Sequence, residues 1–304
     1  MHDVAVVGSC NVDFTARVQN FPQRGETVLG DRFTMVPGGK GENQAVAAAR
    51  QGADTTLVGC IGTDVLGDLV IAALVDDGID TAHLHRSPDQ PTGIAQIVVD
   101  DRGDNTIVVA PLANHALDPA RIGDASDLLR SARVVLAQLE TPLDSVTAAF
   151  ELGRSGGATT ILNPAPALPL PDLTLVDIIV PNETEAAALT GETVGDAAGA
   201  RRAAAVLRAR GAAAALVTLG DQGAVWDDGT RVIDVEPFAV AAIDATAAGD
   251  AFCGALAAAL AAEAPIETAL VRAAAAGALA TTGAGALPSL PTAAAVNALL
   301  DRSS

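Results

Sequence analysis

The stretch "DATAAGDAFCGALAAALAAEA", residues 244–264, places an acidic residue and a turn of small residues directly before an Ala-rich, helix-forming run. Asp250 follows Ala247, Ala248 and Gly249, where a helix has unpaired backbone N–H groups and partial positive charge. Such amides can stabilise a transferring phosphoryl group, and a carboxylate beside them can accept a proton from a hydroxyl group. The same pattern is typical of a plain N-cap aspartate, so the stretch alone leaves both interpretations open.

Outward from this stretch, short apolar runs alternate with segments of helical spacing along the 304 residues, and no internal repeat or linker divides the chain. This alternation predicts one α/β domain, residues 1–304, with a mostly parallel sheet covered by helices on both faces. Residues 249–302 predict several helices with an interruption at 281–291. The strands are predicted within 4–8, 55–62, 132–140, 159–165, 176–183 and 214–220, and further helices within 42–52, 64–78, 143–154 and 197–211.

Two segments, 12–36 and 92–110, depart from this pattern because apolar and polar residues alternate along them. The turn-forming "DDRGDN" at 100–105 predicts a hairpin in the second segment. We expect both segments to form a small antiparallel sheet that projects from the main domain. Open α/β sheets bind ligands at the carboxyl ends of their strands, so a small sheet above that edge would be a lid.

Composition limits the class of partner and the compartment. The net charge of −19 argues against a nucleic-acid ligand, and the small-apolar run at 251–262 is too short to cross a bilayer. Cys10, Cys60 and Cys253 show neither metal-ligand spacing nor a disulfide framework, which favours the cytoplasm. A GC-rich coding sequence and adaptation to high salt both explain the acidic composition.

The segment "PGGKGENQAVAAARQG", residues 37–52, combines a glycine-rich loop with the start of a helix. Glycines allow the backbone to approach a ligand closely, and Asn43 would lie in the first helical turn with its amide towards the loop. Lys40 is the only lysine among the 18 basic residues. An ordinary helix start has the same local pattern. The segment therefore fits both a ligand-binding loop and a helix start without a functional role.

Polar side chains also follow other predicted strands. Asn11 and Asp13 lie two positions apart in an extended segment and therefore share a face, which suits recognition of vicinal hydroxyl groups. Glu140 ends the strand of "AQLETP" and would lie at the same carboxyl edge. Polar strand ends that simply face solvent would give the same pattern.

Two further turns are candidates for phosphate contacts. In "PNETE", Asn182 and Glu185 are three residues apart at a helix start, which fits a helix cap and also a polar pair that holds hydrated Mg²⁺ near phosphates. In "VTLGDQGAV", Thr218 precedes a turn with Gly220 and Gly223, whose backbone N–H groups could bind phosphate. An ordinary hairpin turn explains the second pattern equally well.

Taken together and in this order, "NVD", "GGKGENQA", "LETP", "NPAP", "PNETE", "TLGDQG" and "DATAAGDAFCGAL" resemble the ribokinase branch of the PfkB carbohydrate-kinase family. The resemblance runs from about residue 4 to the C-terminus. It implies a three-layer αβα sandwich with a β-sheet lid that often serves as a dimer clasp, hence a homodimer. It also implies phosphorylation of a sugar hydroxymethyl group with ATP and Mg²⁺, assisted by K⁺, with D-ribose as the sugar favoured by the motifs.

The resemblance also assigns roles by position. Asp250 would be the catalytic base, with the amides of Ala247, Ala248 and Gly249 as the anion hole. The sugar would contact Asn11, Asp13, Gly39, Lys40, Asn43 and Glu140. The nucleotide would contact Asn182, Thr218, Gly220, Gly223, Gly249 and Ala274, with Glu185 acting on Mg²⁺ indirectly. A monovalent cation would be bound by Asp244, Thr246, Ala280, Gly283, Gly285 and Ser289.

Four residues depart from the family pattern: Glu42 stands where a small residue is usual, Leu112 where Gly is usual, Ala245 where Thr is usual, and Ala274 where His or Asn is frequent. A carboxylate at 42 would either alter substrate choice or face solvent at the helix start. A kinase for deoxyribose, another pentose, a ketose or a nucleoside, and a non-catalytic sugar- or nucleotide-binding protein, are therefore the alternatives. An NAD-dependent oxidoreductase is excluded because "VVGSCNVD" lacks the G-x-G-x-x-G fingerprint.

Overall fold

The computed structural model describes residues 2–303 as strands and helices that alternate along most of the chain. The strands are β1 Val4–Val7, β2 Asn11–Val18, β3 Gly30–Gly38, β4 Thr55–Gly62, β5 Leu84–Ser87, β6 Gly93–Val99, β7 Asn105–Ala110, β8 Val134–Ala137, β9 Thr159–Leu162, β10 Ile178–Ile179, β11 Ala214–Thr218, β12 Ala224–Asp227 and β13 Val232–Val235. The helices are α1 Lys40–Arg50, α2 Val65–Asp76, α3 Pro119–Asp124, α4 Ser126–Ser131, α5 Leu143–Gly156, α6 Glu183–Thr190, α7 Ala197–Ala209, α8 Ala248–Ala261, α9 Ile266–Ala280 and α10 Ala293–Ser303.

The main sheet has nine strands in the order β13-β12-β11-β10-β9-β8-β1-β4-β5. The strands from β11 to β5 pair in parallel, and β12 and β13 add an antiparallel edge. This confirms the predicted α/β class. β1 lies between β4 and β8, so the strand order changes direction at its two sides, which is where open α/β sheets form a ligand crevice.

Helices cover both faces of this sheet because alternate residues of each strand point to opposite sides. Val4 and Val6 of β1 belong to one buried cluster together with residues of α1, α8 and α9. Ala5 and Val7 belong to the other, together with residues of α5 and α7. The result is a three-layer arrangement in which α1 and α8 pack side by side on one face, and this packing brings the N-terminal ends of both helices to the crevice.

The second sheet has four strands in the order β3-β2-β6-β7. The two outer pairs are antiparallel, but β2 and β6 run parallel, so the expectation of a wholly antiparallel sheet is wrong for its central pair. Both central strands leave the main domain in the same direction, and each is followed by a strand that returns beside it. Several apolar side chains of this sheet are exposed: Phe33, Met35, Ile107, Val108 and Val109.

None of the helices within residues 2–303 combines the length and the apolar character that a crossing of the bilayer requires.

Candidate active site

The loops after β1 and β8 meet the start of α1 at the switch point of the main sheet. Gly8 makes this close approach possible: a Cβ atom there would lie 2.1 Å from Gln138 Oε1 and 2.7 Å from the Cα of Gly41. The Glu42 amide donates to the Ser9 carbonyl at 2.9 Å and ties α1 to the end of β1. The polar residues that follow the two strands and begin the helix are thereby brought together.

Asp250 lies in the first turn of α8 and is almost fully buried, at 6% exposure. Its Oδ2 accepts from Asn43 Nδ2 at 2.9 Å, and its Oδ1 accepts from Gln44 Nε2 at 2.9 Å. Both donors belong to α1, and no side-chain cap is formed at the start of α8. The helix-cap interpretation of Asp250 is therefore wrong, and its carboxylate is held across the interface between α1 and α8.

The backbone before Asp250 turns sharply. Ala247 adopts a left-handed conformation with φ 60°, which is uncommon for a residue with a side chain. The Ala248 amide donates to the Ala245 carbonyl at 3.2 Å, whereas within residues 2–303 the amides of Ala247, Gly249 and Asp250 have no protein acceptor. Gly249 is exposed, and a Cβ atom added to it would touch nothing within 4 Å. These amides are free to meet an anion from the cleft.

The charges around Asp250 act in opposite directions on its proton affinity. Burial raises the pKa of Asp250, while the Lys40 ammonium and the amides of Gln44 and Asn43 oppose this, and Glu140 adds to it. Burial alone would lower the pKa of Lys40, but the carboxylates of Asp250, Glu140 and Glu185 together raise it. Lys40 therefore stays charged in the cleft.

Asn11 and Asp13 lie at the start of β2, on the same face as expected. Asn11 is buried, and its Oδ1 accepts from Asn114 Nδ2 at 2.8 Å. The Nδ2 atom of Asn11 therefore lies on the side of the amide away from this bond. The glycines beside these residues are needed for space: a Cβ atom at Gly93 would lie 2.2 Å from Asn11 Oδ1, and one at Gly38 would lie 2.5 Å from Asp13 Oδ2.

Glu140 is fixed through one of its two oxygens. Its Oε2 accepts from the Ser9 hydroxyl at 2.5 Å and from the Lys40 amide at 3.1 Å. In the described chain its Oε1 has no protein donor, so it can accept from a ligand.

Burial and the nearby Glu140 and Asp250 carboxylates raise the pKa of Asp13 to about 6. The carboxylates of Asp13, Glu140 and Asp250 thus lie close enough together to interact electrostatically.

Asn182 and Glu185 form a complete capping box at the start of α6. The Glu185 amide donates to Asn182 Oδ1 at 2.8 Å, and the Asn182 amide donates to Glu185 Oε2 at 2.9 Å. Asn182 also pairs with Thr218 at the end of β11. The pair therefore caps the helix, and it also lines a cavity of about 180 Å³. The helix-cap interpretation and the Mg²⁺ interpretation are thus compatible with each other. The lining of the cavity includes Lys40, Asn163, Asn182, Glu185, Thr218, Ala245, Ala247, Gly249 and Asp250.

The cavity does not include every residue assigned to the nucleotide. Gly220 and Gly223 lie in the turn after β11, both with positive φ, and the Leu219 amide donates to the Gly223 carbonyl at 2.8 Å to close it. Ala274 lies half-buried on α9, outside the lining of the cavity. The turn follows Thr218 directly and therefore adjoins the cavity.

Asp244 joins two loops behind the start of α8. Its Oδ1 accepts from the amide and hydroxyl of Thr246, at 2.9 and 2.5 Å, and its Oδ2 accepts from the Gly285 amide at 2.9 Å. Burial would raise the pKa of Asp244, but these hydrogen bonds outweigh it and lower the pKa.

Gly283 and Ser289 lie close together: a Cβ atom at Gly283 would be 3.0 Å from the Ser289 Cβ. Ala280 ends α9, and the Gly283 amide donates to its carbonyl at 3.4 Å.

Three of the four departures from the family pattern, namely Glu42, Leu112 and Ala245, differ in their structural setting. Glu42 is completely buried, with no partner for either oxygen, so the expectation that it faces solvent is wrong. It lies one turn before the buried Val46 on the inner face of α1. Leu112 adopts φ 47°, a conformation that favours glycine, and Ala245 is exposed at the cavity. None of the three contacts Asp250 by a hydrogen bond.

Several polar residues of the site were not predicted from the sequence: Ser9, Gln44, Asn114, Gln138 and Asn163. Gln44, Asn114 and Gln138 are almost fully buried in the described chain and bond to the predicted residues or to one another. A buried amide has the same local sequence signal as a surface one. The available signal was position, because Gln44 directly follows Asn43, and Asn163 lies in "NPAP" at the end of β9.

A family model described as pfkB family carbohydrate kinase matches residues 1–293. The chain is 40% identical over 291 residues to a ribokinase of Haemophilus influenzae, covering 95% of each chain. It is 36% identical over 293 residues to a deoxyribokinase of Salmonella typhi, covering 95% of this chain and 96% of that protein.

A solved structure of Arabidopsis thaliana ribokinase complexed with ribose and ATP is similar over the whole fold. The TM-score is 0.93, with 32% sequence identity, and the match covers 98% of each chain.

Proposed function

Because this chain belongs to the pfkB family of carbohydrate kinases and is an ATP-dependent sugar kinase, we propose that it transfers the γ-phosphoryl group of ATP to the 5-hydroxyl group of D-ribose. The observation that carries the proposal is the placement of Asp250, whose buried carboxylate is bonded to Asn43 of the glycine-rich segment and lies beside the free amides at the start of α8. A single carboxylate is thus bonded to the glycine-rich segment and adjoins the free amides of a helix start.

In this mechanism Asp250 is the catalytic base. It accepts the proton of the attacking hydroxyl as the oxygen–phosphorus bond forms and the bond to the ADP leaving group breaks. The amides of Ala247 and Gly249, which have no protein acceptor in the described chain, form the anion hole for the charge on the transferring group, and the Ala248 amide, which donates to the Ala245 carbonyl at 3.2 Å, adjoins it. Lys40 lines the same cavity and adds a positive charge there.

The sugar is held on the other side of Asp250. Asn43 Oδ1 is buried without a protein partner, which fits a hydroxyl donor from the sugar. Asp13 and the free oxygen of Glu140 accept from further hydroxyls, and Asn11, whose Oδ1 is bonded to Asn114, donates from its amide. The residues that we propose as sugar contacts are Asn11, Asp13, Gly39, Lys40, Asn43 and Glu140.

The phosphates and the base of ATP lie along the start of α6, the turn after β11 and α9. The proposed contacts are Asn182, Thr218, Gly220, Gly223, Gly249 and Ala274. Glu185 fits an indirect role on Mg²⁺: it is nearly buried at the cavity, and only one of its oxygens is used by the capping box. Mg²⁺ keeps several waters, so a carboxylate that bonds to those waters would hold it, and the ion would neutralise phosphate charge.

A monovalent cation, K⁺, is proposed behind the anion hole, at Asp244, Thr246, Ala280, Gly283, Gly285 and Ser289. The support is the Asp244 carboxylate, whose pKa is lowered and which joins the loop at Thr246 to the loop at Gly285 through hydrogen bonds. Among residues 2–303 there is no cluster of three or more His, Cys, Asp or Glu side chains that could hold a metal ion. Turnover measured with K⁺ and with tetramethylammonium at equal ionic strength tests this site.

The second sheet is proposed as the lid and as the interface of a homodimer in the cytoplasm. Phe33, Ile107 and Val108 are 63%, 53% and 66% exposed on it, which is unfavourable in water unless a partner covers them. Val108→Glu should shift the protein from dimer to monomer in sedimentation equilibrium. Val232→Glu, at a residue 50% exposed on β13, is the matched control and should leave the mass unchanged.

The substrate is tested with a panel of D-ribose, 2-deoxyribose, other pentoses, a ketohexose and a nucleoside, with coupled detection of ADP. The proposal requires the highest kcat/KM for D-ribose. A higher value for 2-deoxyribose would assign the chain to the alternative represented by the deoxyribokinase relative. If no sugar in the panel led to production of ADP, the proposed function would be contradicted.

A further inference from the structure

Gln44 is a fully buried side chain on α1 whose amide lies between Asp250 and two other buried amides. Its Nε2 donates to Asp250 Oδ1 at 2.9 Å and to Asn163 Oδ1 at 3.0 Å. Its Oε1 accepts from Gln138 Nε2 at 2.6 Å. All hydrogen-bonding positions of the Gln44 N–H₂ group are therefore used, and one of them is on the proposed base.

The orientation of this chain of amides follows from its far end. Asn163 Nδ2 bonds to the Val180 carbonyl at 2.9 Å, and a backbone carbonyl can only accept. Asn163 must therefore present its Oδ1 to Gln44, and Gln44 must present its Nε2 to Asn163. The Oε1 of Gln44 then faces Gln138, which must donate. No member can rotate its amide by 180° without losing a buried hydrogen bond.

The consequence for Asp250 is that each of its oxygens has one fixed amide donor. Gln44 bonds to Oδ1 and Asn43 bonds to Oδ2, and the two donors are neighbours at the start of one helix. A carboxylate held in this way cannot rotate about its Cβ–Cγ bond. Hydrogen bonds from neutral donors also favour its ionised form over its protonated form.

We propose that Gln44 is a positioning residue for the phosphoryl-transfer reaction: oriented by the Val180, Asn163 and Gln138 chain, it fixes the Asp250 carboxylate and keeps it ionised. The proposal deepens the proposed function and depends on Asp250 being the base. Gln44 itself has no free donor for a sugar or a nucleotide, so it acts only through Asp250.

Other charged groups also act on Asp250 and must be held constant in any test. The Lys40 ammonium favours its ionised form, and Glu140 opposes it. Asp13 and Glu185 interact with Asp250 as well, and the Cys253 thiol lies near it on α8. Gln44 carries no charge, so replacing it with another neutral side chain leaves all these groups unchanged.

The test replaces Gln44 with Met, which has a similar length and no N–H donor. For Gln44→Met we expect kcat to fall roughly tenfold to a hundredfold, because a misplaced base costs about this much. The KM for the sugar should change less than about threefold. The acidic limb of the kcat profile at saturating sugar, which reports the ionisation of the base in the substrate complex, should move to higher pH by roughly one unit. A role in packing alone would leave that limb in place.

Gln51→Met is the matched control, since Gln51 directly follows the same helix and its side chain donates only to the Pro291 carbonyl, at 2.8 Å. It should leave kcat, KM and the acidic limb unchanged. Gln44→Glu is a second variant of nearly the same shape and places another carboxyl against Asp250. It should move the acidic limb to still higher pH than Gln44→Met does. If Gln44→Met does not fold, Gln44→Glu alone tests whether Gln44 acts on Asp250.

A double-mutant cycle separates this proposal from the function on which it rests. If Asp250→Asn lowers kcat by at least roughly a hundredfold, as loss of a general base predicts, Gln44→Met should cause no further loss of the residual rate in that background. An equal fold-loss in both backgrounds, or an unmoved acidic limb in both Gln44 variants, would overturn the positioning role while leaving the base assignment intact. Wild-type turnover in Asp250→Asn would overturn both.

Discussion

Asn43 donates its side-chain amide to the Asp250 carboxylate at 2.9 Å, although the two residues are 207 positions apart in the sequence. The contact joins the first turn of α1 to the first turn of α8. It therefore connects the segment proposed to bind the sugar with the helix end proposed to bind the transferring phosphate.

The first prediction concerns the support of Glu140. Ser9→Ala removes the hydroxyl that donates to Glu140 Oε2 at 2.5 Å and leaves only the Lys40 amide on that oxygen. Loss of one hydrogen bond of about 1 kcal/mol should raise the KM for the sugar about fivefold. The kcat should change little, because Asp250 keeps both its donors. Ser131→Ala, at an exposed serine that bonds only to the Leu128 carbonyl, is the control. A KM equal in the two variants would show that Ser9 does not position Glu140.

The second prediction is a pH dependence of sugar binding. The pKa of Asp13 is raised to about 6 by burial and by the Glu140 and Asp250 carboxylates. An ionised carboxylate accepts hydrogen bonds from hydroxyls more strongly than a protonated one. The Kd for the sugar should therefore fall as pH rises through about 6, by up to about tenfold between pH 5 and pH 7. Isothermal titration without nucleotide measures this.

Asp13→Asn provides the comparison for that titration. The amide cannot ionise, so its Kd should be weaker at neutral pH and flat across the same range. A wild-type Kd that is equally flat would mean that Asp13 does not accept from the sugar.

The third prediction concerns the buried Glu42. Burial, with smaller contributions from Asp13 and Asp77, raises the pKa of Glu42 well above its ordinary value of 4.5. Between that ordinary value and the pKa in the folded protein, Glu42 is protonated in the folded state and ionised in the unfolded chain. The folded state then binds one more proton, so the free energy of unfolding falls as pH rises above 4.5 until the folded-state pKa is passed. Over that range the slope attributable to Glu42 is about 1.4 kcal/mol per pH unit.

Urea unfolding of the wild type and of Glu42→Gln between pH 5 and 8 measures this slope. The variant cannot ionise at position 42, so its stability should decline less with pH than that of the wild type. Glu151→Gln, at an exposed residue of α5, should follow the wild type. Parallel curves for the wild type and Glu42→Gln would show that Glu42 is ionised in the folded state.

Much of the junction follows from local sequence, because strand ends and helix starts have recognisable signals. Asp250 and Asn43 stand at helix starts after small residues, and Glu140 stands just after an apolar run, so a parallel sheet brings them to one edge. The same reasoning predicted the strand at 55–62, which the structure has as Thr55–Gly62. Helix α1 begins two residues before its predicted start, because the glycine-rich loop ends at Gly39.

The rest depends on contacts between distant residues that no local pattern records. Gln44 and Gln138 are 94 positions apart and form a buried pair, yet each has the local signal of a surface amide. Glu42 was open to two interpretations because a carboxylate at a helix start is usually favourable in solvent. Its burial follows from the packing of α1 on the sheet. The parallel pairing of β2 with β6 is a further long-range feature, since each strand alone also fits a hairpin.

The base assignment is tested most directly by the kcat of Asp250→Asn with D-ribose and ATP, measured together with the Kd of the sugar. Asp127→Asn, another acidic residue in the first turn of a helix but exposed on α4, is the control. Loss of a general base predicts a fall in kcat of roughly a hundredfold to ten-thousandfold, with a sugar Kd within about threefold of the wild type. Turnover of Asp250→Asn equal to that of the wild type and of Asp127→Asn would contradict the account.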